Sequence, residues 1–223
     1  MNNLEVAIED VNDLGIADYA ILLGDVIHET TEYRENFFQL MSRLEVENWY
    51  YVLGNHDFEN PPWEENLLPP VDMTLDVMGV KWILISDHAG DFGGTMPENS
   101  KGWFENQILF SDKPVFVFSH QPPSQWKVWD KLEGFIKGSK LQAWFYGHVH
   151  NWSAGWFEDQ VLVFSDCSLD WANNYMGVFM YLERRNDTVN VTLRFRDHKD
   201  HEWIETPLMG EYVENISFIV KVA

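Results

Sequence analysis

The chain has 223 residues, 45% of them hydrophobic and 15% aromatic, which is enough for one sizeable core in a single domain. With 36 acidic and 15 basic side chains the formal net charge is -21, which argues against a nucleic-acid partner, whose phosphates call for clustered Lys and Arg. The apolar runs are strand-sized, so no membrane span is expected. No charged and apolar leader opens the sequence, and Cys167 as the single cysteine excludes an intrachain disulfide and suits a reducing, cytoplasmic setting.

The first half reads as α/β. Leu4, Ile8 and Val11 share one face of a helix expected over Asn2–Leu14, and Tyr19–Leu23 follows as a strand. A second helix over Glu32–Leu44 presents Phe37, Met41 and Leu44 together and leads to strand Trp49–Leu53. This alternation predicts parallel strands with ligand sites at their C-terminal ends. The Pro-rich stretch Asn60–Pro70 reads as a loop, and Gly79 as a tight turn between strands Val71–Val77 and Val80–Ser86. Ala89–Thr95 is Gly-rich but lacks the spacing of a phosphate cradle. A helix near Gly102–Leu109, strand Val115–Ser119, an amphipathic segment Trp126–Ile136 and strand Leu141–Tyr146 come next. Beyond His150 the pattern is all strand: Trp152–Phe157, Val161–Ser165, Val178–Leu182 and Val189–Phe195. Asn186-Asp187 supplies a hairpin turn, and residues 206–223 form an edge strand or tail around Tyr212–Val220.

Four of these strands end on chemically capable residues. AILLGDVIHE delivers Gly24-Asp25, YYVLGNHDFE delivers Gly54-Asn55-His56-Asp57, VFVFSHQPP delivers Ser119-His120, and LQAWFYGHVHNW delivers Gly147-His148-Val149-His150. One His-x-His is weak evidence; four strand ends that each supply Asp, Asn or His can converge on a metal ion. Alternate residues such as His148 and His150 normally face opposite ways on an extended chain, so both reach one centre only through a bend, which Gly147 permits.

The order GD, GNHD, SH, GHxH resembles the calcineurin-like metallophosphoesterases, in particular their phosphodiesterase-like branch. The resemblance runs from Met1 to the strands after Cys167, and GNHD and GHVH are its most specific parts. It implies a four-layer α-β-β-α sandwich of two mixed sheets. It also implies a centre of two divalent transition ions (Mn, Fe or Zn) acting on a small phosphate ester. Carried over residue by residue, Asp25 bridges the ions, Asn55, His120, His148 and His150 are ligands, and His56 donates a hydrogen bond to the phosphoryl group or a proton to the leaving group. His28, three residues after Asp25, is the candidate to orient His56, with Glu29 as its competitor. Gln121 stands where many members have a second His. The family pattern opens on an Asp-x-His at a first strand, and none precedes Gly24-Asp25 here. The sequence is therefore expected to lack that strand. One ion is expected to be held well by Asp25, Asn55, His120 and His148, and a second ion, left to Asp25 and His150, weakly. The alternative is a non-catalytic scaffold on the same fold. Trp126, Trp129, Trp152 and Trp171 near the motif loops read chiefly as packing, and the sequon at Asn151 as chance, since a glycan there would obstruct His150.

Overall fold

The computed structural model describes residues 3–26, 32–58, 72–87, 98–125, 134, 136–150, 153–157, 160–165, 175–197, 203–204 and 217–222. His28, Glu29, the loops expected at Asn60–Pro70 and Ala89–Thr95, most of Trp126–Ile136 and the four motif-flanking tryptophans lie outside the described residues.

The central layer is a six-stranded mixed sheet. Its strands are β3 (Asp72–Val77), β4 (Val80–Ile85), β5 (Val115–Ser119), β6 (Leu141–Tyr146), β7 (Ser153–Phe157) and β8 (Val161–Ser165), in the order β3-β4-β5-β6-β8-β7. Strands β4, β5, β6 and β8 are parallel and covered on both faces, which is why VFVFS and VLVFS read as unbroken apolar runs. On one face Phe118, Phe145 and Phe164 are register neighbours and stack, with ring centroids 5.1 and 4.9 Å apart. The opposite face packs Ile83, Val117 and Trp144 against Phe104 and Ile108 of α4 (Glu98–Leu109).

The Phe face receives a second layer of strands. β1 (Tyr19–Leu22) and β2 (Asn48–Tyr51) pair in parallel. β9 (Tyr175–Arg185), β10 (Thr188–Asp197), β11 (Trp203–Ile204) and β12 (Ser217–Lys221) form an antiparallel group around β10. Ile21, Val52, Val189, Val191 and Val220 all join the core built on the six-stranded sheet. Helices α1 (Asn3–Leu14) and α2 (Glu32–Met41) close the outside of β1 and β2 through Ile8, Phe37 and Met41. The fold is thus an α/β sandwich of four layers. Among the described residues, the strands of the second layer fall into two hydrogen-bonded groups rather than one ladder.

Element boundaries moved for local reasons. α2 ends at Met41, where Ser42 Oγ turns back to Gln39 O and the Asn12 amide on α1 caps Arg43 O. α4 begins four residues before Gly102, which sits inside the helix with open space at its Cβ position. β9 and β10 extend to a long hairpin whose turn residue Asn186 has φ 54°, a region Asn tolerates. The GNHD segment continues past the strand end as a single helical turn, α3 (Asn55–Phe58).

Candidate metal centre

The candidate side chains meet where the two strand layers end together. In the outer pair, Leu22 lies opposite Tyr51 and Val52 N donates to Leu22 O at 3.0 Å, so residues 23–25 and 53–55 leave their strands side by side. In the six-stranded sheet, Ser119 lies opposite Tyr146 and Gly147 N donates to His120 O at 3.0 Å, so His120 and the GHVH segment leave together. The layers are tied at this edge. Asp87 N donates to Leu53 O (2.8 Å), Leu53 N to Ser86 Oγ (2.9 Å), and His120 Nδ1 lies 2.8 Å from Leu23 O.

Asp25 and the GNHD turn clasp each other. Asp57 Oδ2 accepts from Gly54 N at 2.8 Å and from Asp25 N at 2.9 Å, while Asp25 Oδ1 accepts from His56 N at 2.9 Å. The bond from Asp57 back to Gly54 is one half of a capping box, and it converts the loop into α3. This closeness requires glycine, since a Cβ on Gly54 would lie 2.1 Å from Asp25 Oδ1. The sequence motif alone assigns Asp57 no role; its place three residues after Gly54 is the signal of this one.

His120, 2% exposed, is the hub. A carbonyl only accepts, so Leu23 O fixes the proton on His120 Nδ1 in the neutral ring and leaves Nε2 as a lone pair. That nitrogen faces Asp25 Oδ2 at 3.0 Å, His148 Nδ1 at 3.1 Å and Asn55 Oδ1 at 3.2 Å. The Asp25 and Asn55 oxygens only accept, so they repel that lone pair unless something positive lies among them, and a single proton on the ring can serve only one of them. A divalent cation serves them all, and neighbouring ligands around an octahedral ion with bonds of about 2.1 Å stand about 3.0 Å apart. The donors of Asp25, His120 and His148 all lie within 4.8 Å of one another, and the donor set therefore fits a transition ion.

Without an ion the charges respond to one another. Burial pushes the Asp25 carboxyl up, but the hydrogen bond and charge of His120, with the His56 amide, outweigh it and hold Asp25 below the usual carboxylate value. Burial likewise lowers His120, and the hydrogen bond and charge of Asp25, with the charge of Asp87 and the Leu23 carbonyl, more than reverse this and hold the imidazole above its ordinary value. His148 is pulled down to about 4, first by burial and then by the charge of His120.

The bend in GHVH lies at the histidines rather than at Gly147. Val149 N donates to Gly147 O at 2.7 Å, closing a three-residue turn centred on His148, whose φ is 62°; His150 has φ 53°. Gly147 instead provides room, for a Cβ there would stand 3.0 Å from Leu23 O. Asp25 is also left-handed, at φ 51°. The turn brings His148 into the donor group and leaves His150 exposed outside it. His56 is half-buried on α3, beside Asn55.

Residues 1–152 match the family described as calcineurin-like phosphoesterase, more than half of the chain. The chain belongs to that family. That family is one of metal-dependent phosphoesterases, which implies divalent ions, and the Asp25, His120 and His148 cluster is a partial His/Asp metal site. Over 119 residues the chain is 31% identical to a probable glycerophosphodiester phosphodiesterase, GpdQ, of Arcobacter nitrofigilis; the match covers 48% of this chain and 42% of that relative's length. Among solved structures, a dimetal phosphatase from Danio rerio superposes with a TM-score of 0.70 at 12% identity, over 91% of this chain and 88% of that one. A double mutant of Vps29 from Entamoeba histolytica superposes with a TM-score of 0.50 at 11% identity, over 96% and 88%. At such identities these structures bear on the fold alone.

Proposed function

We propose that this chain hydrolyses small phosphate mono- or diesters at a centre of Mn, Fe or Zn. Asp25, Asn55, His120 and His148 would hold one ion tightly, and Asp25 and His150 would hold a second more weakly. The observation that carries the reading is the gathering of three donor atoms within 3.2 Å of one imidazole nitrogen. When bound, the ions supply Lewis-acid charge to the phosphoryl oxygens and lower the pKa of water. The chain's own residues do the positioning. Asp57 and the His56 amide fix both Asp25 and the start of α3, so His56 projects from a braced turn beside the ligands. From there its imidazole donates to a phosphoryl oxygen or protonates the leaving group. The net charge of -21 favours small esters over nucleic acid. A second reading, a phosphoesterase fold used as a scaffold, is favoured by one observation: His150 stands exposed and outside the donor group.

Elemental analysis after dialysis, followed by assays on nitrophenyl phosphate and bis(nitrophenyl) phosphate with added Mn, tests the proposal. About one tightly held ion and hydrolysis of at least one ester are expected. His56→Asn should keep that ion and lower kcat by roughly 10²–10³-fold, the effect of removing one transition-state donor. Tight metal with no turnover of either ester would favour the scaffold, and a His56→Asn protein that loses its ion would show that His56 is a ligand.

A further inference from the structure

Asn55 adjoins two buried polar residues, Gln121 and Asp87, that the proposed chemistry does not use. Asp87 follows the end of β4 and Gln121 follows His120; Asn55, Asp87 and Gln121 are at most 2% exposed. Gln121 Nε2 lies 3.1 Å from Asp87 Oδ2 and 3.5 Å from Asn55 Oδ1. Among the described residues, Asn55 Nδ2 and Gln121 Oε1 have no hydrogen-bond partner. An amide side chain has the same shape either way round, yet only its oxygen can bind a cation. Left to itself, Asn55 would gain by turning over, because its NH2 could then donate to the His120 Nε2 lone pair.

We infer that Asp87 and Gln121 are a positioning relay that holds Asn55 with its oxygen toward the metal centre. A carboxylate oxygen only accepts, so Asp87 turns the NH2 of Gln121 toward itself. That NH2 also faces Asn55, and a turned-over Asn55 would set NH2 against NH2. Polarity is thus handed on in two steps, acceptor to donor to acceptor, and the last acceptor is the Asn55 oxygen, 3.2 Å from His120 Nε2. Groups that orient a ligand in this way commonly carry about 10–100-fold of metal affinity.

The relay rests on the metal reading, and the test separates the two. Co2+ is titrated into the metal-free full chain by calorimetry, with the visible spectrum of the bound ion as second readout. Gln121→Met keeps volume and removes the donor; Gln121→Glu presents an oxygen to Asn55 and favours the turned-over amide. Both should lose about 10–100-fold in affinity, with a changed spectrum, and Asn55→Ala should cause a similar loss. Asn55→Ala added to Gln121→Met should cost little more, since both remove the same interaction. Losses that multiply in the double variant, or wild-type affinity and spectrum in Gln121→Met, would overturn the relay. Failure of the unaltered chain to take up Co2+ would overturn the metal reading and the relay with it.

Discussion

Replacing Gly54 by alanine tests whether the clasp between the first two motifs builds the site. The added Cβ would stand 2.6 Å from Asp25 N and 2.8 Å from Asp25 Cγ, besides meeting Asp25 Oδ1 at 2.1 Å. A swing of the side chain cannot relieve the first contact, because it is with backbone. Reaching ordinary separation requires the loop at Asp25 to retreat by about 0.8 Å. The two bonds that join the segments, from Asp25 N to Asp57 and from His56 N to Asp25, would stretch with it. Each involves a carboxylate and is worth about 1.5–3 kcal/mol, and loss of most of both gives a destabilisation of about 3 kcal/mol. For a chain of this size that lowers Tm by about 6–12 °C. Metal affinity should fall by about 100-fold or more, because Asp25 and Asn55 would move apart. Calorimetric unfolding and metal titration read the two effects separately. Gly102→Ala is the control, because its Cβ meets nothing within 4 Å and lies inside α4, so it should stabilise by up to about 1 kcal/mol. A Gly54→Ala protein with unchanged Tm and metal affinity would refute the claim that this contact builds the site.

Asp57→Asn keeps the shape of the clasp but weakens two charged hydrogen bonds to neutral ones, and should cost about 1–2 kcal/mol in urea unfolding; unchanged stability would show that the carboxylate is not what joins the loops. In metal-free protein the His148 imidazole should titrate near 4, followed by NMR, against an ordinary 6.5. The unfolded chain then takes up this proton first, so the His148 contribution to stability falls as pH drops from 6.5 toward 4. His120 acts in the opposite sense: its pKa is raised, so its contribution is complete below 6.5 and is lost as pH rises through the raised value. A His148 resonance titrating near 6.5 would mean that the ring is not seated against His120.

The parallel strands were legible because burial on both faces leaves them as largely apolar runs, and a polar residue or a glycine marks where each run ends. VFVFS stops at His120 and LQAWFY at Gly147, so the ends of β5 and β6 could be read before any register was known. The four motif strands do place Asp25, Asn55, His120 and His148 together. What stayed hidden depends on separation or on backbone conformation. Asp87 and Gln121 are 34 residues apart, and nothing local to either announces the other. Sequence points to Gly147 as the residue that permits the bend, because glycine is the usual residue for positive φ, whereas here two histidines adopt it. A four-residue helix such as α3 is too short for any periodic signal, and only its capping acid could have revealed it.

The two halves of the proposed tight site belong to different layers. Asp25 and Asn55 come from the β1–β2 pair, while His120 and His148 come from the six-stranded sheet. Among the described residues no ladder joins those sheets; they share side-chain packing and a few bonds at the strand ends. An ion held by all four residues would therefore be a cross-link between layers as well as a reagent, and its binding free energy would add to folding stability. The strain fits this division of labour. Asp25, His148 and His150 adopt left-handed backbone at a cost of order 1–3 kcal/mol each, at the edge where an ion and charged hydrogen bonds can offset it. Metal and fold are then coupled in both directions. A change that loosens the contact between layers should weaken the ion, and removal of the ion should loosen the β1–β2 pair before the six-stranded sheet, whose ladders do not depend on it.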